Sequence, residues 1–346
     1  MSPELVTDRA RIRPPASWKD PGTHYLHVLQ DPWYRHVFEL TDLFHTATVD
    51  FWRRRGGRAA YLPLTTGSVS SPMGRGSDSS PVRVVLEGVP TYLADSMQFL
   101  LELSCRLTDG PSYYVMPSFR GEAADETHLC QFFHSEAELV GGLDTCITVV
   151  DDYLRHLAAT YLEQAADLVT ALAGGTGHLR EPLRDGAFRR ITFDEAVDLL
   201  DDHPRFVRHQ ADDCRSLTRA GERRLMELLG QFTWVTHMDH LSVPFYQAFA
   251  SGDRAKAANG DLLMGIGETV GCGERHDRAE LVREALALHE VRESDYEWYV
   301  KMREAAPLRT SGFGMGVERF LLWLLNHDDI RDLALLLRFN GEQINP

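Results

Sequence analysis

The sequence predicts an α+β fold, an antiparallel β-sheet flanked by helices, and three observations predict it. Residues 113–120 and 131–139 read as strands on either side of a short polar loop, the pattern of an antiparallel hairpin. Apolar residues recur at helical spacing over 39–55, 143–172 and 317–326. Beyond the first 80 or so residues, strand-like and helix-like segments alternate with no evident linker and no internal repeat.

The elements follow in order. Residues 1–30 read as an irregular arm, rich in proline and charge at its start, ahead of a single domain over 31–346. Leu40, Phe44, Ala47, Phe51 and Trp52 share one face of a helix over 39–55 that Gly56-Gly57 stops, and a short strand ends at Tyr61-Leu62-Pro63. The Ser-, Gly- and Pro-rich stretch 65–81 is either a flap or an insertion. After the hairpin comes a long helical region, 143–172, closed by Gly174-Gly175, then two shorter helices over 193–200 and 220–229. An apolar, glycine-rich stretch, 261–272, precedes a helix over 278–288. In the last helix Val317, Phe320, Leu321, Leu324 and Leu325 take the i, i+3, i+4, i+7, i+8 positions of an amphipathic face.

Composition excludes several classes. With 346 residues, 43% hydrophobic and 25% charged, and no apolar run near the ~20 residues of a membrane span, the chain reads as neither disordered nor membrane-embedded. It has no secretory leader pattern at Met1-Ser2-Pro3-Glu4, so the expectation is a cytoplasmic protein. Thirty-six basic against fifty-one acidic residues give a net charge of −15, which opposes a broad electrostatic grip on nucleic acid. Five cysteines without a C-x-x-C pair suit reduced thiols rather than a disulfide framework or a zinc site. Only Lys19, Lys256 and Lys301 are lysines, so an anion site here would use arginine.

Three constellations could carry chemistry. Gly312, Gly314 and Gly316 precede the last helix, with Arg319 in its first turn: either a phosphate site, where backbone N–H groups and a guanidinium meet an anion, or close strand-helix packing with Arg319 in a salt bridge. On the hairpin, Arg120 and Glu122 share one face, and Phe132, His134, Glu136 and Glu138 share one on the returning strand. An arginine beside an aromatic could hold a nucleotide, and a solvated charged face with Phe132 in the core is the alternative. Asp261 and Glu268, seven residues apart in apolar company and followed seven later by Arg275, could hold magnesium together with phosphate oxygens.

Together these residues resemble the catalytic core of the class II aminoacyl-tRNA synthetases, in the asparaginyl and aspartyl branch, over roughly residues 31–339. Leu40 to Pro63 is similar to the family's first, dimer-forming motif, Pro117 through Phe132 to its second, and Gly312 to Arg319 to its third. Residues 190–196 and 265–268 resemble the asparaginyl branch specifically. The resemblance implies ATP and magnesium as cofactors and a homodimer as the assembly. It implies Arg120 on the α-phosphate and activated carboxylate, Phe132 stacked on adenine, Glu122 on the adenine side, and Arg319 on the γ-phosphate with His128 helping. Gly314 and Gly316 would join the nucleotide site. Asp261 and Glu268 would bind magnesium, Ser96, Gln98 and Glu136 the substrate's ammonium, and Arg275 its side-chain end.

Departures shape the expected function. Too few residues precede Asp31 for an OB-fold anticodon reader, Thr127 stands where a basic residue usually precedes the histidine, Gln131 replaces a glutamate, and Leu101 replaces a lysine of aspartyl enzymes. The expectation is therefore an asparagine synthetase A-like paralog: an AMP-forming ligase that activates an aspartate-like amino dicarboxylic acid and passes it to ammonia or an amine, charging no tRNA and needing no membrane. The alternatives are a ligase of specialised metabolism with another amino acid or acceptor, and a non-catalytic regulatory paralog.

Overall fold

Eight strands hydrogen-bond into one sheet in a computed structural model that describes residues 11–70, 80–210 and 214–344. In chain order they are β1 (Arg58–Ala59), β2 (Ser112–Phe119), β3 (Gln131–Val140), β4 (Arg189–Thr192), β5 (Thr233–Thr236), β6 (Asn259–Met264), β7 (Gly267–Glu274) and β8 (Thr310–Gly316). Their spatial order is β1-β2-β3-β8-β7-β6-β5-β4. The inner strands from β2 to β5 pair antiparallel, and the edge pairs β1/β2 and β4/β5 are parallel. This is the expected α+β antiparallel sheet.

Ten helices surround it among the described residues: α1 (His24–Gln30), α2 (Pro32–Arg54), α3 (Gln98–Thr108), α4 (Leu143–Gln164), α5 (Ala166–Ala173), α6 (Phe193–Leu199), α7 (Arg219–Leu229), α8 (Ala279–Leu288), α9 (Glu297–Ala305) and α10 (Val317–Leu324). The largest core lies under one sheet face, where Phe44 and Phe51 of α2, Tyr153 and Leu157 of α4 and Phe320 of α10 bury Phe313 and Met315 of β8. Burying each such aromatic or aliphatic side chain contributes roughly 1.5–3 kcal/mol. A second cluster, with Phe99, Phe245, Val282 and Tyr299, packs α3, α8 and α9 together beside the opposite face.

Several boundaries differ from expectation for local reasons. The arm expected to be irregular over 1–30 is helical over His24–Gln30, and residues 1–10 lie outside the described residues. His24 is buried there, with Nδ1 on Ser17 Oγ and Nε2 on the carbonyl of Ala334. Helix α2 begins at Pro32 rather than 39, because Asp31 caps it by accepting from the Trp33 N–H and Pro32 takes the first position, where its missing N–H costs nothing. The strand expected to end at Pro63 is only Arg58–Ala59. The long helix breaks at Ala165, and Gly174, at φ 85°, ends α5. Thr192 and Glu195 form a capping box that starts α6. The loop expected over 65–81 lies partly, at 71–79, outside the described residues.

Candidate active site

Register across the sheet builds the site. Antiparallel pairing sets Glu136 opposite Gly314, Gly314 opposite Gly271, and Gly271 opposite Asp261. Directly paired residues share a face, so two carboxylates stand at the ends of a row whose middle is glycine. At ~4.8 Å per strand those ends are roughly 14 Å apart. The next row runs Glu138, Gly312, Gly273 and Asn259. A Cβ at Gly312 would overlap Glu138 Oε2, so only glycine leaves the carboxylate its place. Along β3, Phe132, His134, Glu136 and Glu138 point to the same side, and this strand carries the site from one end to the other.

At the Phe132 end, a cleft of about 170 Å³ is lined by Arg120, His128, Phe132, Glu268, Gly314, Gly316 and Arg319. It continues into one of about 700 Å³ that shares Arg120, His128, Glu268 and Arg319 and adds Glu122, Arg219 and Glu222. The Arg120 guanidinium lies 5.3 Å from the centre of the Phe132 ring, and its buried Nε has no hydrogen-bond partner. Phe132 thus faces the cleft while also leaning on the main core. Arg319 donates to the carbonyl of Glu268 and holds His128 Nε2 at 3.2 Å. His128 Nδ1 lies 3.2 Å from Asp125 Oδ1 and 2.7 Å from Arg219 Nη2. Burial and the two arginines push the His128 pKa down, so the imidazole is neutral at pH 7. Glu122 accepts from the Ser80 N–H at 2.9 Å through Oε1, and its buried Oε2 is unpartnered. The last helix begins at Gly316, and Glu318 in its first turn spends both oxygens on the Phe133 N–H at 3.1 Å.

The metal question turns on three carboxylates. Asp261 and Glu268 both lie close over Gly271, and Glu222 of α7 accepts from the Glu268 N–H at 3.0 Å. Burial, then the neighbouring Glu268 and Glu222, push the Asp261 pKa well up, and Glu222 is pushed up to about 7 by burial and Glu268. A divalent cation would relieve this crowding of like charge. The described residues contain no cluster of three or more donors in metal-holding geometry. Magnesium takes one or two carboxylates and completes its shell with water and phosphate.

The opposite end is a buried polar cluster. Glu136 accepts from Ser96 Oγ at 2.7 Å and from the Tyr114 hydroxyl, and His134 Nδ1 lies 3.3 Å from its other oxygen. Burial pushes its pKa up to about 8. Gln98 is buried at the start of α3, and its N–H donates to Ser96 Oγ at 3.2 Å. Arg275 does not present a free charge. Its Nε and Nη2 each donate to Glu138 at 3.2 Å, its Nη1 donates to Gln247 Oε1 at 3.0 Å, and both members of the ion pair are about 1% exposed or less. Behind it Glu102 is held by Arg303 and by the Tyr299 hydroxyl at 2.5 Å. Arg275, expected at the substrate's side-chain end, is thus already neutralised by Glu138.

All the expected site residues fall at these two ends of one sheet face. Sequence reasoning missed Glu222, Arg219 and Gln247 as members, and listed Glu138 only as a face-mate. Their signal in the sequence was weak, since Arg219 and Glu222 come from a helix and Gln247 from a loop, each far along the chain from its partners.

An antiparallel sheet with an arginine-rich cleft at one end and a buried polar cluster at the other is the arrangement of a class II synthetase-type catalytic core. The chain belongs to the tRNA synthetases class II (D, K and N), whose family profile matches residues 23–339. A probable cytoplasmic asparagine–tRNA ligase of Encephalitozoon cuniculi is 29% identical over 266 residues, covering 72% of this chain and 56% of its own length. The asparagine–tRNA ligase of Syntrophobacter fumaroxidans is 28% identical over 314 residues, covering 84% and 67%. The chain thus spans between half and two thirds of these relatives. Among solved structures, the asparaginyl-tRNA synthetase of Pyrococcus horikoshii complexed with asparaginyl-adenylate superposes with a TM-score of 0.84 at 24% identity, over 94% of this chain and 73% of that one, which establishes the shared fold. No helix among the described residues is long and apolar enough to cross a membrane.

Proposed function

We propose that this chain is an ATP-dependent, AMP-forming ligase that activates an amino acid, and that the amino acid is asparagine. The observation that carries the first half is the convergence, in one cleft beside Phe132, of Arg120 and Arg319 with the carboxylates Glu268 and Glu222, with Asp261 next to Glu268 over Gly271. In this reading Phe132 stacks on adenine, Arg120 neutralises the α-phosphate, and Arg319 with neutral His128 receives the terminal phosphate. Glu122 and the glycine backbone at Gly314 and Gly316 border the nucleotide. Asp261 and Glu268 would hold magnesium, which would supply charge neutralisation on the phosphates. The reaction is attack of a carboxylate oxygen on the α-phosphorus with loss of pyrophosphate, favoured by positioning and by arginine charge aimed at the pentavalent centre.

The second half rests on the Arg275–Glu138 pair. A guanidinium paired with a carboxylate offers N–H donors and a C=O-type acceptor side by side, which complements a primary carboxamide and repels a carboxylate. Glu136, with Ser96 and Gln98 beside it, would take the ammonium group. The acceptor we infer is the tRNA 3′ end, because the relatives named above are asparagine–tRNA ligases. Ammonia transfer, a specialised-metabolism acceptor and a non-catalytic role draw no support from those relatives. Amino-acid-dependent ATP–pyrophosphate exchange over a panel including asparagine, aspartate and glutamate tests activation. Acylation of total tRNA against AMP release with ammonia then separates the acceptors. Exchange with no amino acid would overturn the reading.

A further inference from the structure

We propose that Arg219 is a further phosphate-binding residue, completing with Arg319 and His128 the cationic wall at the terminal-phosphate end of the nucleotide cleft. The proposal deepens the nucleotide reading above and rests on it.

The loop that carries His128, residues 123–128, contains Asp125 and Glu126 and no basic side chain other than the histidine. Thr127, buried, spends its hydroxyl on Asp125 Oδ1 at 2.9 Å. The positive charge on this side of the cleft therefore comes from other elements, from Arg208 and, at the start of α7, from Arg219. Arg219 is the first residue of that helix, directly after Thr218, whose hydroxyl caps it by accepting from the Gly221 N–H. A basic side chain is electrostatically disfavoured at the positive end of a helix, where acidic ones are the rule. Its guanidinium nevertheless turns inward to the cleft, with Nη2 3.1 Å from Asp125 Oδ2 and 2.7 Å from His128 Nδ1.

The other ring nitrogen of His128 meets Arg319 Nη2 at 3.2 Å, so one neutral imidazole separates two guanidiniums. Asp125 faces this pair of charges from the loop side, with Thr127 already donating twice to it, and Glu222 of α7 acts on both guanidiniums through space. Like charges brought this close repel at rest, and a polyanion between them would convert the repulsion into attraction. Phosphate is the ligand class that a pair of forked donors fits. Since Arg219 is about half exposed, at 48%, its truncation leaves no buried charge unpaired.

The test is equilibrium binding of ATP, pyrophosphate and AMP to wild type, Arg219→Ala, Arg219→Lys and the control Arg224→Ala, whose side chain pairs on the helix surface with Glu227. Losing a charge-assisted phosphate contact should weaken ATP and pyrophosphate by roughly 10- to 100-fold. AMP, which lacks the terminal phosphates, should change less than twofold, Arg219→Lys should recover part of the loss, and melting temperatures and Arg224→Ala should stay at wild-type values. Equal weakening of ATP and AMP, or unchanged ATP binding in Arg219→Ala, overturns the proposal while leaving the nucleotide site standing. Wild type that binds neither ATP nor AMP overturns the nucleotide reading itself, and this proposal with it.

Discussion

Replacing Glu138 by glutamine is the sharpest test of what the amino-acid pocket selects. In the native protein Glu138 grips Arg275 through two hydrogen bonds of 3.2 Å, and both groups are buried. A substrate carboxylate placed on the remaining edge of the guanidinium would come within roughly 4–5 Å of the Glu138 carboxylate, a repulsion of about 3–4 kcal/mol at an effective dielectric constant near 20. At 1.36 kcal/mol per decade, removing that repulsion is worth about 10²- to 10³-fold in favour of aspartate relative to asparagine. Glu138→Gln removes the repulsion and leaves Arg275 seeking an anion, so the asparagine-to-aspartate ratio of kcat/KM in pyrophosphate exchange should fall by about that factor. Leaving a buried arginine unpaired costs about 3–5 kcal/mol of stability, so the variant should be assayed well below its melting temperature. Glu138→Asp, which keeps the charge, should keep the preference for asparagine. A wild type that exchanges as well with aspartate, or a folded Glu138→Gln with an unmoved ratio, would refute the reasoning.

Four further outcomes follow from the same geometry. Arg120→Ala and Arg319→Ala should each lower AMP-forming turnover by roughly 30- to 1000-fold with circular dichroism unchanged, since each removes a charge aimed at phosphate; near-normal exchange would mislocate the ATP site. Burial pushes Glu136 up to about 8, so the free protein holds a proton there that ammonium binding must expel; amino-acid KM should fall as pH rises from 6 to 8, by up to tenfold per unit, and a flat profile would exclude Glu136 as the ammonium partner. Asp261→Asn relieves like-charge crowding, so it should raise the metal-free melting temperature by a few degrees, on the order of 1 kcal/mol, while raising the magnesium concentration needed for turnover; a lower melting temperature would contradict the carboxylate cluster. Sedimentation should show a homodimer built on α2 and the strand after it, and a fully active monomer would remove that expectation.

Much of the fold was legible because its signals were local. The hairpin announced itself by two strand-like runs around a polar loop, and the last helix by five apolar residues at helical spacing, all five buried as read. The start of α2 was equally local, since an aspartate before a proline marks a helix N-terminus, and it was missed because the apolar period was followed instead. Short strands such as Arg189–Thr192 and Thr233–Thr236 give no pattern of their own at four residues each; their partners define them. Within the site, residues on one strand could be grouped by parity, which put Glu136 and Glu138 on one face correctly. Parity says nothing of what comes to meet that face. Arg275 was therefore assigned without Glu138, its buried partner.

How arginine charge is compensated at each end of the face connects the acidic composition to the chemistry. At the amino-acid end, Arg275 and Arg303 are buried against Glu138 and Glu102, so each guanidinium arrives with its own counter-charge and the pocket stays near neutral. Burying such pairs costs desolvation that their attraction barely repays, which makes them poor devices for stability and good ones for fixing donors and acceptors in place. At the other end, among the described residues, neither Arg120 nor Arg319 forms a salt bridge with a carboxylate; one leaves its Nε without a partner, and the other leans on a carbonyl and an imidazole. Glu268 and Glu222 act on Arg319 through space rather than by direct ion pairs, so these guanidiniums keep N–H donors for an anion. A chain of net charge −15 can therefore bind a polyanion without an overall positive field, because the field that matters is set by which arginines lack partners. The same contrast says that neutralising the paired arginines should alter which amino acid enters, whereas neutralising the unpaired ones should alter whether the nucleotide binds at all.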